Sequence, residues 1–165
     1  MTVTDQKSVQ VTNRDAGVAN ESVSGFGGRI YCMVVNTVQA ALGCANSTFQ
    51  LGVLPPGKWR YLSMLSRVRT TAFGTARTLD IGTGAYTNPD GTAVAADEDA
   101  IHSAKDVSSA TNWNPGQTDE LDDAAAEFGT LLINSKTPVT ITGICKAGTV
   151  PVSARIDGML FFLGS

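Results

Sequence analysis

Hydrophobic and polar residues alternate along several segments of the chain, and this alternation predicts β-strands. The first segment is RIYCMVV at residues 29–35, and the second is STFQLGVL at residues 47–54. A period of two places alternate side chains on opposite faces of a sheet, one dry and one wet. Residues 29–35 are apolar on both faces, which is typical of a largely buried strand. The pattern therefore predicts a sheet-forming domain that begins at Arg29.

Residues 59–72 continue the alternation and predict a long third strand. Its inward row consists of Leu62, Met64, Val68 and Ala72, and its outward row consists of Tyr61, Ser63, Arg67, Arg69 and Thr71. Residues 75–82 then predict a fourth strand with Leu79 and Ile81 inward and with Thr78 and Asp80 outward. Proline and glycine at residues 55–57, 74, 82 and 84 supply the turns between these strands.

Three further strands are predicted in the last third of the chain, at residues 129–134, 138–146 and 152–164. The inward row of the last strand is Val152, Ala154, Ile156, Gly158, Leu160 and Phe162, opposite Ser153, Arg155 and Asp157. From Met159 onward both faces are apolar. Such a strand belongs near the middle of a sandwich or at a subunit interface.

Two segments depart from the strand pattern. Residues 83–128 are rich in acidic residues and alanine and predict short helical turns at 93–104 and 120–126 within a surface insertion. Residues 1–28 lack the apolar content of a core and end in SGFGG, so they are interpreted as an extended arm or a disordered terminus. The division is an arm at 1–28 and one all-β domain at 29–165, an antiparallel two-sheet β-sandwich.

Composition argues against several classes of partner. Charged residues make up 16% of the chain, and the net charge of −3 does not favour nucleic acid. Lys58, Arg60, Arg67 and Arg69 form the one local basic cluster, and their spacing along the chain does not make a continuous stripe. No segment has the length of a membrane span and no leader is visible, so we expect a soluble protein made in the cytoplasm that binds no membrane.

The three cysteines do not predict a metal or a disulfide framework. Cys32, Cys44 and Cys145 are widely spaced, and His102 is the single histidine. Cys32 and Cys145 lie in apolar runs, where a buried free thiol is expected, while a bridge between Cys32 and Cys44 stays open. The sequence indicates no cofactor.

No constellation of residues predicts catalysis. His102 has no nucleophile motif near it, so the chain is not expected to be an enzyme. The acidic groups at 97–99 and 119–123 lack calcium-loop spacing, and solvated loops are favoured over a bound cation. Trp113 lies in NWNPG, which is predicted to be an exposed loop and leaves glycan binding as an alternative. Trp59 is expected to pack in the core or at an interface.

The segment LGVLPPGKWRYLSMLSRVRTTAFGTARTLDIGTGAYTNPDGTAVAAD resembles a pattern of small virion proteins of tailed bacteriophages. Its elements are a proline-glycine turn, a long strand, a TLDIG strand, an NPD segment and an AAD end, at residues 54–57, 59–71, 78–82, 88–90 and 95–97. The resemblance is to jelly-roll head decoration (cement) proteins. It implies a jelly-roll sandwich that decorates the outer surface of an icosahedral capsid and binds the major capsid protein.

The resemblance also implies a trimer at the three-fold positions of a capsid, with the arm laid on the shell. Met159, Phe161 and Leu163 are the predicted interface of a homotrimer, because one sheet face cannot bury them together with Leu160 and Phe162. The residues predicted to attach the arm to the capsid are Val3, Val9, Val11 and Phe26. The alternatives are another virion component, such as a tail or fibre protein, and a carbohydrate-binding module.

Overall fold

A computed structural model describes residues 29–116 and 131–164, which form an all-β sandwich. The larger sheet contains β1 (Arg29–Val38), β3 (Gly57–Tyr61), β4 (Arg67–Thr70), β9 (Thr111–Trp113), β10 (Leu132–Ser135) and β12 (Arg155–Gly164). The smaller sheet contains β2 (Ser47–Leu54), β5 (Thr78–Thr83), β8 (Asp97–Asp106) and β11 (Val139–Lys146). The hairpin strands β6 (Tyr86–Thr87) and β7 (Ala93–Val94) pair with each other.

The strands pair in a nested order. β1 pairs with β12, β2 with β11, β3 with β10, β4 with β9, β5 with β8, and β6 with β7, all antiparallel. The chain is therefore one long hairpin, with its tip between β6 and β7, that is rolled into two sheets. This arrangement is the jelly roll, and it confirms the predicted fold class.

Strand β12 lies in the middle of the larger sheet. β1 follows one edge of β12 from end to end, while β4 and β3 share the other edge, at residues 156–159 and 162–164. This position agrees with the expectation that a strand apolar on both faces lies centrally. Its inward side chains Ile156, Leu160 and Phe162 are fully buried, as predicted.

The core fills the space between the two sheets. The ring of Phe162 packs against that of Tyr61 with centroids 5.4 Å apart, and Phe49 packs against Phe73 at 5.7 Å. Leu79 and Ile81 of β5 are fully buried, as their alternation predicts. Asp80 is also buried, although it was predicted to be exposed, because its carboxylate accepts a hydrogen bond from the Ala104 amide and approaches Lys146.

The predicted long third strand is wrong, because a tight turn at residues 62–66 divides it into β3 and β4. The Ser66 hydroxyl donates to the Leu62 carbonyl and accepts from the Phe161 amide, at 2.9 Å in both cases. Because of this turn, the inward and outward positions at residues 61–64 are exchanged relative to the predicted alternation. Tyr61 and Ser63 are therefore buried, and Met64 is 65% exposed, opposite to the prediction.

The predicted helical turn at residues 93–104 is also wrong, because these residues form β7 and most of β8. The pairing of β8 with β5 shifts register twice, and Ala104 has a φ of 51°. Residues 120–126 and the arm at 1–28 lie outside the described residues, so the second helical turn and the domain boundary stay predictions.

Candidate interaction face

The outer face of the larger sheet, which points away from the smaller sheet, carries two parallel strips of different chemistry. The apolar strip follows β1 and β12, where registered pairs join Ile30 to Leu163, Cys32 to Phe161, and Val34 to Met159. Ile30 is 56% exposed, Val34 70% and Met159 50%, and these three pairs are adjacent. Contiguous apolar surface of this kind typically marks a contact with another protein.

The cationic strip follows β3 and β4 beside the apolar strip. Lys58, Arg60, Arg67 and Arg69 are exposed and alternate with buried Trp59, Tyr61, Val68 and Thr70. Arg60 is registered with Leu163, Arg67 with Met159, and Arg69 with Asp157. The expectation that these cations make no continuous stripe is therefore wrong: β3 and β4 lie along the same edge of β12, and this places all four on one face.

Three arginines make polar contacts at one end of the face. The Arg67 guanidinium donates to the Asn112 side-chain oxygen at 2.8 Å. Asp157 accepts from Arg155 at 2.7 Å and lies 3.5 Å from Arg69. Asp157 is thus the carboxylate that offsets part of the positive charge here, whereas Arg60 on β3 is registered with the apolar residues Leu132 and Leu163.

A shallow groove of about 370 Å³ lies between the two strips. Leu65, Met159 and Phe161 give it an apolar floor, and its polar lining consists of Arg67, Arg69, Asn112 and Asp157. Leu65 comes from the turn at residues 62–66 and is 56% exposed. An apolar side chain of a partner that carries adjacent carboxylates would fit this arrangement.

The predicted interface residues all lie on this outer face. Met159 is exposed, and Phe161 and Leu163 are half-buried. Sequence reasoning missed Ile30, Val34 and Leu65, although the alternation within residues 29–35 already placed Ile30 and Val34 in one row. The predicted attachment residues Val3, Val9, Val11 and Phe26 lie outside the described residues.

The predicted glycan-binding tryptophan is not available for that role. Trp113 is 8% exposed, and its ring packs against His102 with centroids 6.0 Å apart. The Lys105 ammonium lies 5.7 Å from the centroid of the Trp113 ring. The loop reading of NWNPG was wrong because residues 111–113 form β9, whose alternation directs Trp113 inward. Trp59 is buried, as expected.

His102 is buried and anchors the chain after β9. Its Nδ1 accepts a hydrogen bond from the Gly116 amide at 3.2 Å, and the carbonyl of neighbouring Pro115 accepts from the buried Tyr61 hydroxyl at 2.9 Å. Burial, and secondly the charge of Lys105, lower the pKa of His102 to about 4. These contacts give the buried histidine a structural role.

The residues that the structure describes form no metal centre. Within residues 29–116 and 131–164 no three carboxylate, imidazole or thiol groups come together as metal ligands. Asp97, Glu98 and Asp99 are exposed at the start of β8, and Glu98 accepts from the Lys146 ammonium at 2.5 Å. The other acidic group, residues 119–123, lies outside the described residues. The bridge left open between Cys32 and Cys44 is absent, since both thiols are free.

The burial of His102 predicts a specific pH dependence of stability. Between about pH 6.5 and pH 4 the unfolded chain protonates this histidine and the folded chain does not, so stability is lost as pH falls through this range. The contribution of His102 to the unfolding free energy should fall by on the order of 1.4 kcal/mol per pH unit, and the total loss should approach about 3 kcal/mol by about pH 4.

Denaturant unfolding of the wild type and of His102→Asn between pH 7 and pH 4 measures this dependence. The asparagine oxygen can accept from Gly116, and it does not titrate. The difference in unfolding free energy between the two proteins should narrow as pH falls. A constant difference across the range would contradict the buried neutral histidine.

In the described residues no helix is long and apolar enough to cross a membrane. No family model matches the sequence, and a search of curated proteins finds no match.

Solved structures of viral capsids are similar to this chain in fold. A chain of the cyanophage Pam1 capsid asymmetric unit matches with a TM-score of 0.53 and 12% identity, over 88% of this chain and 91% of that one. A chain of the capsid of Ralstonia phage GP4 matches with a TM-score of 0.53 and 13% identity, over 88% and 89%. A chain of infectious bursal disease virus, Gx strain, matches with a TM-score of 0.49 and 12% identity, and this chain spans 32% of its length. At these identities the likeness establishes the jelly-roll fold alone.

Proposed function

We propose that this chain is a structural protein of a bacteriophage virion that decorates and stabilises the outer surface of an icosahedral capsid. The observation that carries the proposal is the match in extent: the chain covers 91% and 89% of two chains from phage capsid structures, so it is comparable to them in size. The exposed apolar strip on the larger sheet supports a role that depends on contact with protein.

The mechanism of this function is non-covalent stapling. A decoration protein binds the assembled shell and not its dissociated subunits, so binding lowers the free energy of the assembled state. In the proposed arrangement, the arm at residues 1–28 contacts the major capsid protein, and the outer face joins copies into a homotrimer through Met159, Phe161 and Leu163. A closed oligomer covers this apolar surface without leaving an open contact that would extend into fibres.

Add-back to capsids tests the proposed function. Heads of the phage that encodes this chain, stripped of it and then supplied with the purified protein, should resist heating and low salt better than stripped heads. Equal resistance with and without the protein would contradict decoration. Labelled imaging of intact particles separates this role from that of a tail or fibre component, because label on tails alone would favour the latter.

The arm is tested by deletion of residues 2–24. The truncated chain should remain folded and should self-associate like the full chain, because the described core lies entirely after residue 28. Its affinity for stripped heads is expected to fall at least about tenfold, the equivalent of about 1.4 kcal/mol of lost contact. Unchanged affinity would show that the arm does not attach the protein to the shell.

A further inference from the structure

A second pocket, of about 420 Å³, lies between the hairpin of β6 and β7 and strand β10. It shares no lining residue with the groove on the outer face, and its lining is largely polar. The residues that line it are Tyr86, Asn88, Pro89 and Asp90 from the hairpin and Leu132 and Asn134 from β10. Its volume falls within the range of about 300–1,000 Å³ that is usual for small-molecule sites.

Hydrogen bonds fasten the hairpin to the end of β10, so the two walls of the pocket hold a fixed spacing. The Lys136 amide donates to the Thr87 carbonyl at 2.8 Å, and the Thr87 amide donates to the Thr137 hydroxyl at 3.1 Å. The Ser135 hydroxyl also donates to the Thr87 carbonyl, at 3.3 Å. A site that is formed before its ligand arrives loses less conformational entropy on binding.

The turn at the tip of the hairpin is braced as well. The Asn88 carbonyl accepts from the Gly91 amide at 3.0 Å, and the Asn88 amide donates to the Thr92 carbonyl at 2.9 Å. The Asp90 carboxylate accepts from the Thr92 amide at 2.8 Å. This hydrogen bond lowers the pKa of Asp90, so its carboxylate is ionised at neutral pH. The turn therefore determines where Asn88 and Asp90 stand in the pocket.

The polar groups of the pocket match the hydroxyls of a sugar. A sugar hydroxyl both donates and accepts hydrogen bonds, and so does a side-chain amide, whereas a carboxylate accepts only. Within residues 29–116 and 131–164, the side-chain amides of Asn88 and Asn134 hydrogen-bond to no other protein group. Two amides and the carboxylate of Asp90 can therefore serve several neighbouring hydroxyls of one ligand.

The rest of the lining favours an uncharged sugar over an anion. The Tyr86 ring is half-buried and Leu132 is 50% exposed, so both offer apolar surface to the C–H groups of a pyranose ring. Asp90 would repel a phosphate, since like charges across a contact are unfavourable. The Lys136 ammonium lies beside the turn, 3.6 Å from the point that a Cβ on Gly91 would occupy, and it offsets the charge of Asp90.

We propose that this pocket binds an uncharged hexopyranose unit, with Asn88, Asp90 and Asn134 bonded to its hydroxyls and the Tyr86 ring against its C–H groups. The chemistry of recognition is the same for a free monosaccharide and for one unit of a polysaccharide. The inference goes beyond the proposed function, and it involves none of the residues proposed to join copies or to attach the arm.

Nuclear magnetic resonance titration of the isotopically labelled full chain tests the proposal. The probes are glucose, galactose, mannose, rhamnose and N-acetylglucosamine, each raised well above about 1 mM, where weak small-molecule binding is detected. At least one should shift the side-chain amide signals of Asn88 and Asn134 in a saturable manner. Dextran and mannan distinguish the source of the ligand, because a unit within a chain should bind more tightly than its monomer and a free sugar should not.

Removal of the two amides supplies the matched variants. Asn88→Ala with Asn134→Ala should raise the dissociation constant of the bound probe at least about tenfold, from the loss of two hydrogen bonds. Asn36→Ala is the control, since Asn36 is an exposed strand residue of the same sheet outside the pocket, and it should leave the dissociation constant unchanged. Thermal melting confirms that each variant is folded, and if the double variant does not fold, Asn134→Ala alone replaces it.

Three results would overturn the proposal. The first is the absence of a saturable shift with every sugar and polysaccharide probe, and the second is a set of shifts that map away from the pocket. The third is equal binding by the wild type and the double variant. Sodium phosphate that shifts the pocket signals more strongly than any sugar would also overturn it. None of these measurements uses capsids, so failure of add-back to heads would reject the capsid role and leave this inference standing.

Discussion

Replacing Gly158 with alanine is expected to lower the free energy of unfolding by about 3 kcal/mol or more, from overpacking and backbone strain together. A Cβ on Gly158 would lie 2.1 Å from the Arg67 carbonyl oxygen and 2.9 Å from the Val68 Cα. Both atoms belong to the backbone of β4, which is held in register by β12 and β9. The φ of Gly158 is 156°, a value that residues with a side chain rarely adopt.

Gly84→Ala is the matched control for this substitution. A Cβ there would meet Thr140 at 3.4 Å, which is ordinary contact, and its φ does not lie in the left-handed region. Denaturant unfolding of both variants measures the difference. If Gly158→Ala unfolds at the same denaturant concentration as Gly84→Ala, β4 does not approach β12 as closely as described.

The parts of the fold that were predictable from sequence are those in which the alternation runs uninterrupted. Residues 47–54 match β2, and the predicted inward residues Leu79 and Ile81 of β5 and Ile156, Leu160 and Phe162 of β12 are buried as expected. Val152, also predicted to point inward, is 55% exposed because β12 begins only at Arg155. The pairing of strands with one another could not be predicted from the local sequence pattern. The nesting of β1 with β12 joins residues at opposite ends of the domain, and only the resemblance to jelly-roll proteins indicated it.

The errors have distinct physical causes. The break between β3 and β4 depends on the Ser66 hydroxyl, whose partner at Phe161 is distant in sequence. β8 was missed because alanine and acidic residues have low strand propensity, and its register shifts blur the alternation.

The candidate face was half predictable. Its apolar residues at the end of β12 could be predicted, because a strand that is apolar on both faces cannot bury both rows of side chains. Its cationic strip could not be predicted, because Arg60 and Arg67 are separated by the turn at residues 62–66. They align only through their common neighbour β12.

Adjacent phenylalanines of β12 should separate stability from association. Phe162→Ala is expected to lower the unfolding free energy by about 4 kcal/mol, because it leaves a cavity beside Tyr61 in the core. Phe161→Ala should cost about 1 kcal/mol or less in the isolated chain, since Phe161 is half-buried on the outer face.

For self-association the ranking should be the opposite, with the larger effect from Phe161→Ala and little effect from Phe162→Ala. Phe161→Ala removes part of the floor of the groove, so it should raise the dissociation constant for self-association at least about tenfold. Phe162→Ala does not change the outer face, so any copies that remain folded should associate as the wild type does. Denaturant unfolding and sedimentation of the same two proteins measure both quantities. The prediction rests on the two rows of β12, since the inward row packs in the core and the outward row contacts other copies. Equal losses of stability, or association that is insensitive to Phe161→Ala, would contradict this division.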